Sequence, residues 1–373
     1  MRMGLFSKKD MSPAQTVVQE VLKAKKGERA LIIANPETNV IAQELYTAFI
    51  GQGARPTLIF QPRKDSLDYA EEAVVGAIKS EPEIILSISA GKLGKDREAM
   101  EHPYRLEADG KGQEFDNSFD YLLSGKKSIR AVWTPGLSED MFARTVNIDY
   151  KQLGDRCKAI CKMLDGAESI RVTSPGGTDV SVGVTGRKAM ADDGDFSRPG
   201  TGGNIPAGET FISPVVGSTE GKIVFDGSMT FATGDALLSS PIEVTVTGGF
   251  VSSVKGGAEA ERLLKDITAA ENEAAAMVSK KKFSEEQGAA YKRNARNIGE
   301  LGIGLNPAAS VTGNMLEDEK AFRTCHFAIG ENYDGDAPAL IHFDGIVRSP
   351  TITVSYPDGS SSVLLEGGEL RLR

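Results

Sequence analysis

Histidine, cysteine and tryptophan are nearly missing from this chain, at three, three and one among 373 residues. Scarce cysteine agrees with a reducing compartment. No uninterrupted apolar run approaches the ~20 residues that a membrane helix needs, and Met1–Asp10 lacks the apolar core of a secretory signal, so a cytoplasmic location is expected. Basic excess is lacking too. With 43 Lys and Arg against 52 Asp and Glu, the net charge of −9 argues against a nucleic-acid or anionic-membrane partner, because a phosphate-binding surface needs a basic patch. Lys280-Lys281-Lys282 reads as a solvated helix end. The turn after Ala34, Asn35-Pro36-Glu37-Thr38, holds no glycine, so the G-x-G-x-x-G fingerprint of dinucleotide binding is absent and the first half reads as scaffold.

What is present divides in two. A chain of this length exceeds the size at which single cores stop growing. Residues 1–165 alternate helix and apolar strand: an amphipathic stretch Pro13–Lys25, strand Ala30–Ala34, helix Val40–Gly51, strand Pro56–Phe60, helix Ser66–Lys79, strand Glu83–Ser89, strand Ser128–Thr134 and a helix from Asp140. Continuous apolar strands between helices predict an α/β domain with a mainly parallel sheet. Residues 166–373 change to short β-branched segments broken by glycine: Ile170–Thr173, Val180–Val184, Gly221–Asp226, Ile242–Val246 and Phe250–Val254, then Leu340–Ile346, Thr351–Val354 and Ser362–Leu365. One alanine-rich helix, Ala258–Lys282, interrupts them, giving a β-rich α+β domain. Cys157 and Cys161, in a helix-like stretch from Tyr150 to Leu164, read as buried thiols, and Trp133 as core. Arg187, in a polar loop, is expected to face water, and Gly176-Gly177-Thr178-Asp179 to form a turn.

Two of the scarce histidines fall close together. In His342-Phe343-Asp344, strand alternation points an imidazole and a carboxylate to one face, the geometry of a divalent-metal site. Three further glycine-flanked elements carry chemistry: Asn204-Ile205-Pro206-Ala207-Gly208-Glu209, Gly299-Glu300-Leu301-Gly302-Ile303-Gly304, and Thr324-Cys325-His326-Phe327-Ala328-Ile329-Gly330 followed by Tyr333. Taken singly, a glutamate beside glycine is usually a surface turn residue and a lone histidine usually a core group.

Taken in order, these elements resemble the aminopeptidase T-type thermophilic metallopeptidases, from Gly177 to about Thr351, with the first half similar only in general pattern. The resemblance implies a homodimer in which two divalent ions, zinc, cobalt or manganese, are held by Glu209, Glu300, His326, Tyr333, His342 and Asp344. It implies an aminopeptidase that hydrolyses N-terminal residues from short peptides through a metal-activated water, with Glu209 as the nominated general base if it is not a ligand, and Tyr333 beside it. The short interval between His326 and His342 and the segments Pro103–Lys127 and Ala258–Lys282 depart from that family's pattern, which bears on the peptide substrate more than on the metal.

Two other readings stand. His326, His342 and Asp344 alone form a two-histidine, one-carboxylate triad suited to ferrous iron, and the ring-opening dihydroxypyridine dioxygenases share the C-terminal H-x-D. A non-catalytic binding protein, its histidines structural, is the third.

Overall fold

The computed structural model describes residues 11–65, 68–108 and 111–372. Met1–Asp10, and with it the expected absence of a signal core, lies outside the described residues, as do Ser66 and Leu67, where a helix was expected to begin; that helix runs over Glu72–Lys79. Two compact units emerge. The first combines Met1–Gly154 with Asp192–Ala207, and the second Asp155–Ala191 with Gly208–Arg373, in place of a single cut at 165/166.

The first unit is built on a five-stranded sheet in the order Thr201–Asn204, Arg130–Trp133, Ile84–Ile88, Arg29–Ala34, Arg55–Phe60, with every neighbouring pair parallel. The central strand Ile84–Ile88 is buried at every position, as an apolar run covered on both faces must be. Helix Asn39–Gln52 ends on Gly53 at φ 80°, a left-handed cap that L side chains disfavour. Leu31, Ile33, Val74, Ile78, Ile85, Leu122 and Ala131 form one apolar cluster, with Trp133 partly buried at its margin. The fifth strand, Thr201–Asn204, was not expected. It is short and half glycine, and a methyl group on Gly202 or Gly203 would overlap Ala131 or the Phe196 ring, so close packing has removed the β-branched signal.

The second unit holds two sheets, one of eight strands, antiparallel throughout, and one of seven, antiparallel from Ala236–Leu237 through Glu209–Ile212. Ser169–Thr173 and Asp179–Gly183 form a hairpin through the expected turn. Helix Ala258–Ser279 buries Ala260, Leu263, Ile267, Ala270 and Ala274, a stripe at three- and four-residue spacing. In the seven-stranded sheet the neighbours run His342–Arg348, Thr324–Gly330, Ile298–Gly304, Glu209–Ile212. Gly345 leaves room for Phe225 of the eight-stranded sheet and for Met229, so the odd-numbered face of strand His342–Arg348 is taken up by packing. The even-numbered face, with His342 and Asp344, is the other one. Among the described residues no helix is long and apolar enough to cross a membrane.

Candidate metal centre

Register places the chemistry. Glu300, Ala328 and Asp344 are cross-strand partners in one line; His326 faces Gly302 and Ile346; His342 faces Gly330; Glu209 faces Gly304. With side chains alternating in sign along each strand, Glu209, Glu300, His326, His342 and Asp344 project from one face of four adjacent strands. A register shift between Ile298 and Glu300 brings Glu300 into that line. Glycine then serves clearance. A methyl group on Gly302 would overlap the His326 imidazole, and one on Gly299 would overlap the Glu331 carbonyl. The G-E-L-G-I-G element is thus the floor on which His326 lies.

The side chains converge. His326 Nε2 lies 3.0 Å from Glu300 Oε1 and 3.4 Å from Glu209 Oε2, while His342 Nε2 lies 3.6 Å from Glu300 Oε2 and 3.3 Å from Asp344 Oδ1. One ligand atom each from Glu209, Glu300 and His326 lie within 4.8 Å of one another. Glu300 stands between the two imidazoles, one oxygen toward each.

Electrostatics describes a site short of positive charge. Burial disfavours charge on His326, yet its hydrogen bond to Glu300 and the nearby Glu209 and Asp344 carboxylates outweigh burial and raise it to about 9. Burial likewise opposes charge on His342, but Asp344 and Glu300 raise it to about 10. Burial pushes the Glu300 carboxyl up, with the histidines opposing. Asp344 is held below the usual carboxylate range because His342 and His326 outweigh its burial. Each imidazole is held in proton-bound form by carboxylates that a cation would satisfy instead.

The donor set fits a divalent ion. Among the described residues Glu209 Oε2, Glu300 Oε2 and Asp344 Oδ1 are carboxylate oxygens buried without a hydrogen-bond partner, an expensive condition that a cation set among them relieves. His342 Nδ1 lies 2.9 Å from the Glu331 carbonyl oxygen. A carbonyl only accepts, so Nδ1 keeps its proton, and a cation that displaces the Nε2 proton would meet the Nε2 lone pair, the outer hydrogen bond typical of a metal-binding histidine.

Tyr333 is 60% exposed, its ring centroid 5.2 Å from Phe211 and 5.3 Å from His342. It borders the cluster through its ring. Arg187 does not face water as expected: its side chain is 12% exposed, with Nη2 donating to Asp336 at 2.8 Å and to the Pro214 carbonyl at 3.2 Å, and Nη1 3.6 Å from Asp334. That pairing fastens the loop that carries Tyr333. Cys325 is buried on the opposite face, where burial raises its thiol.

Lys320 and Glu319 were missed. Lys320 is fully buried, its Nζ 2.7 Å from Glu209 Oε1 and paired also with Glu319. Burial raises the Glu319 carboxyl to about 8, against the pull of Lys320. In sequence, Glu317-Asp318-Glu319-Lys320 is a charge run of the kind that normally marks a solvated face.

Against known proteins, residues 138–361 match the family described as NicX: 2,5-dihydroxypyridine 5,6-dioxygenase. Among solved structures, a 2,5-dihydroxypyridine dioxygenase from Pseudomonas putida KT2440 matches with a TM-score of 0.68 at 16% identity, over 99% of this chain and 99% of that one. Wild-type AmpT from Thermus thermophilus matches with a TM-score of 0.64 at 18% identity, over 97% of this chain and 98% of that one. At such identities the likeness is one of fold. No curated protein sequence matches the chain.

Proposed function

The chain belongs to the NicX family, the family described as 2,5-dihydroxypyridine 5,6-dioxygenase, and from that premise we propose that it is a metal-dependent, ring-opening dioxygenase acting on a dihydroxylated nitrogen heteroaromatic. The observation that carries this reading is the placement of His326, His342 and Asp344 on one face of adjacent strands, with His342 Nε2 3.3 Å from Asp344 Oδ1 and Glu300 between the two imidazoles. Two neutral imidazoles and one carboxylate are the donor set of mononuclear ferrous sites with open positions. Iron held there would supply the redox step with dioxygen that amino-acid side chains cannot perform.

The chain's own residues do the rest. The Glu331 carbonyl fixes the His342 tautomer. Glu300, buried among the imidazoles, is placed to take up and return a proton from a substrate hydroxyl. Phe211 alternates with Glu209 along its strand and so shares the site face, and with Tyr333 it offers apolar surface to a planar ring.

The test is anaerobic loading with ferrous iron followed by oxygen-electrode measurement on 2,5-dihydroxypyridine and related dihydroxylated rings. One dioxygen molecule consumed per ring opened is expected. No uptake across the panel would contradict the reading.

One observation favours a second reading, the metallo-aminopeptidase acting on short peptides. Glu300 directs one oxygen to each histidine, as a carboxylate bridging two ions would. Zinc- or cobalt-loaded protein that cleaves aminoacyl-nitroanilides while ferrous protein consumes no oxygen would establish it. The homodimer expected from that resemblance is open to light scattering.

A further inference from the structure

The Lys320 ammonium is buried against the acidic face of the candidate metal centre. It lies in the turn between helix Met315–Asp318 and strand Thr324–Gly330, fully buried, and it touches no solvent through which a substrate could reach it. Its position is built in. Its amide donates to the Glu317 carbonyl at 3.0 Å and its carbonyl accepts from the Asn306 amide at 2.9 Å. Just before it, buried Asp318 accepts from the Thr312 and Gly313 amides at 2.6 and 2.8 Å and from the Ser228 hydroxyl at 2.6 Å. Glu317 accepts from the Ser310 amide at 2.8 Å. A turn so tied leaves the lysine side chain no route except into the acidic face.

There it takes one oxygen of Glu209, while the other oxygen faces His326. A dinuclear centre would ask Glu209 to serve a cation with its full charge. That charge is already engaged, at contact distance, by a cation the protein carries itself. A divalent ion on Glu209 Oε2 would stand close to Nζ across a single carboxyl group, a like-charge approach in a dry site where screening is weak.

We infer that Lys320 is a built-in second cation: it holds Glu209 out of the metal's coordination sphere and limits the centre to a single divalent ion bound by His326, His342 and Asp344. This role rests on the mononuclear reading of the site but is independent of which reaction the ion supports. It makes Lys320 a positioning residue and Glu209 its partner.

The experiment counts ions. Wild-type, K320M and E209Q chains are stripped, reloaded separately with ferrous iron, zinc and cobalt under anaerobic conditions, desalted and analysed for metal per chain, with circular dichroism confirming the fold. Methionine keeps the length and bulk of the side chain and removes the charge. Wild type is expected to hold one ion per chain and K320M two, because Glu209 becomes free to ligate. E209Q is expected to keep one ion, since Glu209 is not a ligand. Two ions in wild type, one in folded K320M, or loss of the ion in E209Q would each overturn the inference. If K320M does not fold, E209Q decides alone. Oxygen uptake is measured on the same samples, so a protein that binds one ion in this pattern but opens no ring contradicts the proposed reaction and leaves the role of Lys320 standing.

Discussion

Gly302 lies directly beneath the His326 imidazole, with no space between them for a single methyl group. The pair is set by cross-strand register, so the glycine is a requirement of the histidine's position. Gly302→Ala is expected to displace the ring and lower metal affinity at least about tenfold, the scale of lost orientation at a metal-binding histidine. Titration calorimetry with zinc, beside a melting curve of the metal-free protein, checks this. Unchanged affinity in a folded variant would contradict it.

His342 separates a metal centre from a structural histidine. His342→Ala removes one imidazole and should release the ion, read as metal per chain in the folded variant. A non-catalytic protein with structural histidines would show no change in metal uptake.

The pH dependence of metal uptake has a definite sign. In the metal-free protein His326 and His342 are raised to about 9 and about 10. Below those values each holds a proton that coordination must expel, so affinity rises with pH across the neutral range and uptake releases roughly one proton per imidazole ligand. For folding the sign is reversed. Raised histidines stabilise the metal-free protein fully below their ordinary value near 6.5, and that contribution is lost as pH climbs through 9 to 10. Calorimetry in two buffers of different ionisation enthalpy at pH 7 gives the proton count, and a count of zero would contradict the scheme.

In the first unit, Arg29 holds the Glu83 carboxyl down to about 2, its hydrogen bond outweighing burial. A depressed carboxylate stabilises the fold above its ordinary value near 4.5 and loses that contribution as pH falls toward 2. Both side chains are more than a third exposed, so Glu83→Gln should cost no more than about 1 kcal/mol at pH 7. The difference between the two proteins should vanish in melts near pH 2.

Asp318 is fully buried and accepts from two backbone amides and two hydroxyls, so Asp318→Ala leaves several buried donors unpaired. A loss of roughly 2–4 kcal/mol in urea unfolding is expected. An effect under 0.5 kcal/mol, the range of ordinary surface changes, would contradict this assignment.

Much of this was legible in the sequence because periodicity reports burial directly. The apolar runs at Ala30–Ala34 and Glu83–Ser89 point to the parallel sheet, and the H-x-D alternation at 342 and 344 to the shared face. The fifth strand was hidden because Gly202 and Gly203 pack too closely to carry the usual β-branched residues. Lys320 was hidden for the opposite reason: its neighbours are charged, and burial of such a run depends on partners at positions 209, 228, 310 and 312 that local pattern cannot reveal. Arg187 was misjudged for the same cause, its partners Asp334 and Asp336 being distant in sequence.

A crystal of the protein soaked anaerobically with ferrous iron, measured at the iron absorption edge, tests the metal centre most directly. One anomalous peak per chain is expected, about 2.0–2.2 Å from His326 Nε2, His342 Nε2 and an Asp344 oxygen, with Lys320 still on Glu209. Two peaks, or a peak outside that cluster, would contradict it.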